Sequence, residues 1–245
     1  MATLLEALHD DAWLLAIAKP PGLLTHRTLL DAHDTTSAHE QAEAQWGARL
    51  WPAHRLDKGT SGVLLFARDA ETAKRLGEAF AGGAVHKRYR AWVRGWLAAE
   101  TGSVDHPLAR DPERPSAGQA QLDARTDWAV LQRLEWPVRT HPDFATTRSS
   151  VLALWPHQGR RHQLRRHCKH LGHPIVGDAT HGKGPLNRTL AAAVGLQRLW
   201  LHAEALALPH PHTGEPLTLN APLGPEWARL DQPSRKAAAV AANSA

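Results

Sequence analysis

The sequence predicts a strand-rich α+β fold, and three observations carry that reading. Short runs of consecutive apolar residues, too brief for helices, recur between turn-forming residues. Between them lie segments that open on Ser, Thr or Asp and close on glycine, the ends that helices favour. No self-similarity appears at any solenoid period, so the elements must build a core rather than a stack.

Trp13–Ala18 reads as a buried strand. Lys19-Pro20-Pro21-Gly22 stops it, because prolines donate no ladder hydrogen bond and glycine permits the turn. Thr36 or Ser37 is placed to cap a helix running to about Arg49, which Trp51-Pro52 breaks. Ala53–Gly59 then forms a loop, and Gly62–Ala67 (Gly-Val-Leu-Leu-Phe-Ala) reads as a fully buried strand. Asp69 caps a helix through Phe80 that ends at Gly82-Gly83. Tyr89–Trp96 mixes β-favouring and basic residues and reads as a half-exposed strand with Tyr89 near its start. From about Asp105 to Gln121 periodicity vanishes among Pro, Arg, Asp and Gly, which predicts a surface loop or insertion. Strands are expected at Asp127–Leu134 and Ser149–Trp155, a basic helix from about Arg161 to Leu171 before Gly172, and an apolar stretch at Leu199–Leu208. Residues 1–235 are expected to form one domain, with the Ala-rich end from Lys236 to Ala245 frayed.

Composition narrows the class. With 22% charged and 42% hydrophobic residues in 245, the chain is an ordinary globular protein with enough length for a sizeable core. No stretch approaches the roughly 18 apolar residues of a membrane span, and the N-terminus lacks the basic-then-apolar pattern of a leader. A cytoplasmic location is expected. The single cysteine, Cys168, excludes an internal disulfide. A net charge of +5 favours an anionic partner, and its distribution matters more than its size. Between Gln158 and His173 stand Arg160, Arg161, Arg165, Arg166 and Lys169 without one carboxylate, a surface suited to phosphates, although a solvated basic helix face would look the same. The ten Trp are expected mainly in core and strands.

Asp57 is the residue with the most suggestive neighbours. It sits among His54, Arg55 and Lys58, immediately before Gly59-Thr60-Ser61-Gly62 and a buried strand. Cations and turn amides hold a carboxylate in its charged form, which suits a nucleophile better than a general acid. An Asp that merely caps the following turn would share these neighbours. His162, His167, His170 and His173 crowd the basic segment with Cys168, but they do not all fall on one helix face and no carboxylate joins them, so no metal site is expected.

The run from His54 to Ala67, His-Arg-Leu-Asp-Lys-Gly-Thr-Ser-Gly-Val-Leu-Leu-Phe-Ala, resembles the catalytic segment of the pseudouridine synthase family that includes the large-ribosomal-subunit enzymes. Lys19-Pro20-Pro21-Gly22, His86-Lys87-Arg88-Tyr89 and Gly159-Arg160-Arg161-His162-Gln163-Leu164-Arg165 resemble three further motifs, in the family's order. The resemblance implies a mixed, largely antiparallel sheet with a central cleft between two subdomains and Asp57 at its floor. It implies Asp57 as the catalytic aspartate, Tyr89 as the aromatic that packs on the target base, and Arg165 as the arginine that pairs with the aspartate. Leu164 would help wall the base pocket. Arg55, Arg160, Arg161, Arg166 and Lys169 would bind the RNA around it. For Arg165 a plain phosphate contact, and for Tyr89 a strand-edge aromatic, remain open. The implied reaction breaks the N1–C1′ bond of uridine, turns the uracil and joins C5 to C1′, which is redox-neutral and calls for no cofactor.

Finer similarities point within the family. Thr146-Thr147-Arg148, the run His173 to Gly182 with its Gly177-Asp178-Ala179-Thr180-His181, the segment Gly195 to His202 and His212 to Leu217 are similar to the branch that modifies tRNA on its T-stem side, with uridine 65 as the implied target. The first strand begins too near Met1 for the N-terminal S4-like module of many ribosomal relatives, which that branch also lacks. Ribosomal RNA is the alternative substrate, and a non-catalytic RNA-binding protein the alternative of another class. A monomer acting on tRNA, without a membrane partner, is expected.

Overall fold

The computed structural model describes residues 4–27 and 36–231. The expected frayed tail from Lys236 lies outside them. In chain order the elements are β1 (Glu6–Asp10), β2 (Leu14–Lys19), α1 (Ala38–Trp46), β3 (Trp51–Pro52), β4 (Ser61–Ala67), α2 (Ala70–Ala81), β5 (His86–Arg94), β6 (Thr101–Asp105), β7 (Leu108–Ala109) and β8 (Gln121–Leu122). There follow β9 (Arg125–Trp136), β10 (Thr147–Pro156), α3 (Gln163–His170), α4 (Gly184–Val194), β11 (Leu201–Pro209), β12 (Pro216–Asn220) and a 3-10 helix, Pro225–Asp231. The chain is thus α+β with mostly antiparallel strands. It divides into two compact units, Met1–Tyr89 with His202–Pro222, and Arg90–Leu201 with Leu223–Ala245.

In the first unit the strand order is β1-β2-β4-β11, with β3 on β4 and β12 on β11. All pairs are antiparallel except β4 with β11. Alternation explains why the β2 and β4 sequences are apolar at nearly every position. Leu14, Ala16, Val63, Leu65 and Ala67 enter a core covered by Leu76, Ala73 and Phe80 of α2. Leu15, Ile17, Leu64 and Phe66 point the other way, onto Ala38 and Ala42 of α1. A strand buried on both faces reads as a continuous apolar run. Each fully buried Leu or Phe here contributes about 1.5–3 kcal/mol.

Both helices start where side chains satisfy their free amides. Asp69 accepts from Thr72 N at 2.7 Å, and Ser37 forms a capping box with Glu40, whose carboxylate accepts from Ser37 N at 2.9 Å. Helix α1 ends at Trp46, three residues short of the expected Arg49, with left-handed Gly47 as its cap.

In the second unit β5, β10, β9 and β6 run side by side, and β9 pairs with β10 from Thr126–Pro156 to Trp136–Thr147. Trp92, Trp136, Trp200 and Trp227 pack with Leu186, Leu190 and Val194 of α4, which accounts for much of the tryptophan content. Trp92 and Trp200 meet edge to face with ring centres 5.3 Å apart.

Several expectations are corrected. Strand β5 starts three residues before Tyr89 and is not half-exposed throughout, since Ala91, Trp92 and Val93 are fully buried. The basic helix begins at Gln163, so Arg160 and Arg161 lie in the turn before it. The 105–121 segment is framed by the β7–β8 ladder. Among the described residues no helix is long and apolar enough to cross a membrane.

Candidate active site

The loop carrying Asp57 is fastened on both sides by groups from the β2 end. Thr25 Oγ1 accepts from Leu56 N at 3.0 Å and donates to Leu56 O at 2.9 Å. Gly22 N donates to Lys58 O at 2.8 Å. Lys19 is 1% exposed, and its ammonium donates to Leu23 O at 2.6 Å, Pro20 O at 2.9 Å and Lys58 O at 3.3 Å. A buried ammonium that meets carbonyls from two loops ties them to each other. Asp57 itself is half-buried and opens a turn in which Thr60 N donates to Asp57 O at 2.9 Å. His54 accepts from Leu65 N through Nε2 at 3.2 Å. Its imidazole is held down to about 4 by burial and by the Lys87 charge, against a backbone hydrogen bond at Arg55. His54 is therefore neutral at physiological pH and anchors the loop to β4.

The lysine clasp has a measurable consequence. Lys19→Met strips the loop carbonyls of their donor, and unpaired buried polar groups cost roughly 1–3 kcal/mol each. The variant is expected to lose about 2–3 kcal/mol in urea unfolding. A midpoint equal to the wild type's would contradict the clasp.

Tyr89, half-buried in β5, packs against the cluster that contains Leu56 and Leu64. Burial first, and the charge of Asp57 second, push its phenol well above the ordinary tyrosine value. It stays protonated across the physiological range. The fold thus brings the only tyrosine of the chain into the electrostatic field of Asp57.

In the second unit Arg165 is 8% exposed and makes a bidentate pair with Asp178, Nε to Oδ2 at 2.7 Å and Nη2 to Oδ1 at 2.9 Å. Oδ1 also accepts from the amides of Thr180 and His181, both at 2.9 Å. Burial works to raise the Asp178 carboxyl, but the Arg165 hydrogen bond, the two amides and the guanidinium charge outweigh it and hold it low. Burial and the Asp178 charge push the nearby Cys168 thiol up to about 12. The preceding Gly177 has φ +80°, and a Cβ there would lie 1.7 Å from Arg198 O, so geometry requires glycine before Asp178. Asp178 is thus a partner of Arg165 that the sequence alone does not announce. Two of the five guanidinium donors suffice for this pair. Leu164, the next residue back, is buried at 6% exposure.

The remaining basic residues are not equivalent. Arg55 and Lys169 are exposed. Arg160 donates from Nε to Asp123 O at 3.0 Å, just past β8, and Arg166 from Nη1 to Ala109 O at 2.8 Å, in β7. Arg161 pairs with Glu113 and lies 3.5 Å from Asp111, carboxylates that the 105–121 segment supplies and the local sequence lacks. The histidines of this region are also engaged in the fold. His162 stands at a left-handed φ of 54° with Nδ1 3.1 Å from His181, and His167 meets Thr126 Oγ1 at 2.9 Å.

Chemically, the first unit offers a half-buried carboxylate beside a neutral phenol on a pinned loop. The second offers a buried guanidinium whose plane is fixed by a carboxylate behind it. That carboxylate is not legible in the sequence, because the Gly177-Asp178 pair shows its partner only on folding. Lys19 likewise reads only as a strand end, because only the fold shows three carbonyls around its ammonium.

Residues 14–170 match the sequence profile of the RNA pseudouridylate synthase family. Similar curated proteins include tRNA pseudouridine synthase C of Pasteurella multocida, 44% identical and aligned over 92% of this chain and 94% of that protein. The protein of the same name from Vibrio cholerae is 41% identical over 93% and 94%. Among solved structures, human RNA pseudouridylate synthase domain containing 1 superposes with a TM-score of 0.71 at 25% identity, covering 91% of this chain and 86% of that one. Human RNA pseudouridylate synthase domain containing 4 gives 0.68 at 27%, covering 92% and 93%.

Proposed function

The chain belongs to the RNA pseudouridylate synthase family and is an isomerase, and from this premise we propose that it converts a uridine of folded tRNA to pseudouridine with Asp57 as nucleophile. The observation that carries the tRNA assignment is the alignment over more than nine-tenths of the chain with proteins named for tRNA. Uridine 65 of the T-stem is the target this reading names. Residues 1–235 act as one catalytic domain, a reading supported by a family match that runs through both compact units.

The chemistry asks little of the protein beyond placement. The N1–C1′ bond breaks, the uracil turns while held, C5 joins C1′, the C5 hydrogen leaves to water as a proton, and N1 takes up a proton in exchange. A carboxylate enters this exchange at C1′, at C6 or by taking the C2′ proton, and in each case it must be ionised. Tyr89, neutral and half-buried, stacks on the base, and Leu164 walls the pocket. In this reading Arg165 serves as the catalytic arginine, its guanidinium plane fixed by Asp178, since planar bidentate geometry orients a guanidinium as a point charge would not.

A paired uridine is shielded, so the nucleotide must be extruded at a cost of a few kcal/mol, offset by contacts over the RNA fold. Folded tRNA is expected to be modified well ahead of the excised T-arm and of a ribosomal RNA fragment at matched salt, with the new pseudouridine at position 65. Preference for the ribosomal fragment would overturn the tRNA assignment. Equal modification of a short single strand would overturn recognition of the fold.

Binding is expected to weaken steeply with salt, because each phosphate neutralised releases close to one counterion. Arg160→Glu with Lys169→Glu should flatten the slope of log K against log salt by about 0.9 for each contact removed. Arg161→Glu should change it less, since that charge already faces Glu113 and Asp111. An unchanged slope in the double variant would place the RNA on another surface.

A further inference from the structure

The turn that carries Asp57 leads into β4 through Thr60-Ser61-Gly62, and this exit is clamped from the far end of the chain. Strand β11 runs parallel to β4 over two residue pairs, His202 with Ser61 and Ala203 with Gly62. The approach is so close that a Cβ on Gly62, whose φ is +115°, would lie 2.1 Å from Ala203 O. At the same place Ser61 Oγ lies 2.9 Å from His202 Nδ1, with both residues buried, at 5% and 4% exposure. His202 Nε2 lies 3.1 Å from Ala221 O. A carbonyl can only accept, so Nε2 carries a proton, and in the neutral imidazole Nδ1 then holds the lone pair. The Ser61 hydroxyl is consequently the donor to Nδ1. The chain of bonds has one direction, Ser61 O–H to His202 Nδ1 and His202 Nε2–H to Ala221 O, and it needs a neutral imidazole.

We propose that His202 is a positioning residue for the reaction: acting through Ser61, it sets the seat of the Thr60–Gly62 segment and hence the placement of the Asp57 carboxylate. The link to Asp57 is the turn bond from Thr60 N to Asp57 O, 2.9 Å long. On its β11 side that segment is held by two residue pairs, beside the β2–β4 ladder that ends at Lys19 and Gly62, and a buried side-chain bond of defined direction adds a restraint on Ser61, the residue next to Thr60. Misplacement of a catalytic group by about 1 Å can cost up to a hundredfold in rate. The inference rests on the assignment of Asp57 as nucleophile.

The test uses the full chain and tRNA, with kcat, KM and thermal melting read for Ser61→Ala, His202→Leu, His202→Asn and the Ser61→Ala/His202→Leu double variant. Asparagine can present Oδ1 where Nδ1 stood and so keep an acceptor for Ser61. The expected result is a fall in kcat of about tenfold or more in Ser61→Ala and His202→Leu, with KM moved by less than about twofold. The double variant should be no worse than the worse single variant, because both break one bond. His202→Asn should recover most of the kcat lost in His202→Leu. Additive losses, a rise in KM with kcat kept, or a His202→Asn no better than His202→Leu would overturn the proposal. Asp57→Asn assayed beside them separates the two readings: an active Asp57→Asn removes the nucleophile assignment, whereas an inactive one beside a fully active Ser61→Ala removes only the role of His202.

Discussion

Asp178→Asn is expected to lose about 3–5 kcal/mol of stability, the cost of removing one partner from a buried ion pair. Asparagine keeps an oxygen for the amides of Thr180 and His181, so the loss isolates the Arg165 pair from the local turn. Arg165, 8% exposed, is left with its Nε and Nη2 donors facing a neutral amide. For a chain of this length the melting temperature should fall by about 10 °C. Activity should fall further than stability explains, because the guanidinium loses the group that fixes its plane. Arg165→Met combined with Asp178→Asn should recover much of the stability and none of the activity, since deleting both charges removes the stranded one. The pair also gives wild type an acid limb. A carboxyl held below its unfolded value contributes stability that is complete above that unfolded value and is lost as pH falls through the lower folded one. Melts of wild type should show that loss in the acid range, and those of Asp178→Asn should lack its share. An unchanged melting temperature at neutral pH would contradict the pairing.

How much of this was legible beforehand depends on which physical signal each element leaves. Strands β2 and β4 are buried on both faces, so their runs of Leu, Ile, Val and Phe stand out in the sequence. Helix α2 announces itself by the Asp69 cap and the glycines that follow it. Strands β1 and β6 were missed because they are edges: none of β1 is buried, and Val104 alone of β6 is, which leaves no apolar pattern to find. Helix α4 did carry a signal, with Pro185 in its first turn, Leu186, Leu190 and Val194 on one face and left-handed Gly195 at its end, and was not read.

The site shows the same division. Asp57 and Tyr89 stand out through short motifs, and the structure places both in the first unit within electrostatic reach of each other. Asp178 behind Arg165, the carbonyls around Lys19 and the carboxylates that face Arg161 come from segments remote in sequence, and only folding gives them partners. A basic run without acids in its own stretch says nothing of acids that a neighbouring loop brings to it. Arg161 is the instance, a basic residue that faces Glu113 and Asp111 in the structure.

Asp57→Asn is expected to lose at least about a thousandfold in turnover, because the amide keeps the shape and the turn bond but has no nucleophilic charge. Affinity for tRNA should stay within about threefold, since the half-buried side chain is replaced by one of equal size on a loop held by Lys19 and Thr25. The most direct measurement uses tRNA labelled with tritium at C5 of uridine, because each turnover replaces the C5–H bond by C5–C1′ and sends one label to water. The account predicts stoichiometric release by wild type at the modified uridine, and background release by Asp57→Asn at concentrations that saturate binding. Substantial release by the variant, or none by wild type on any folded tRNA, would contradict it.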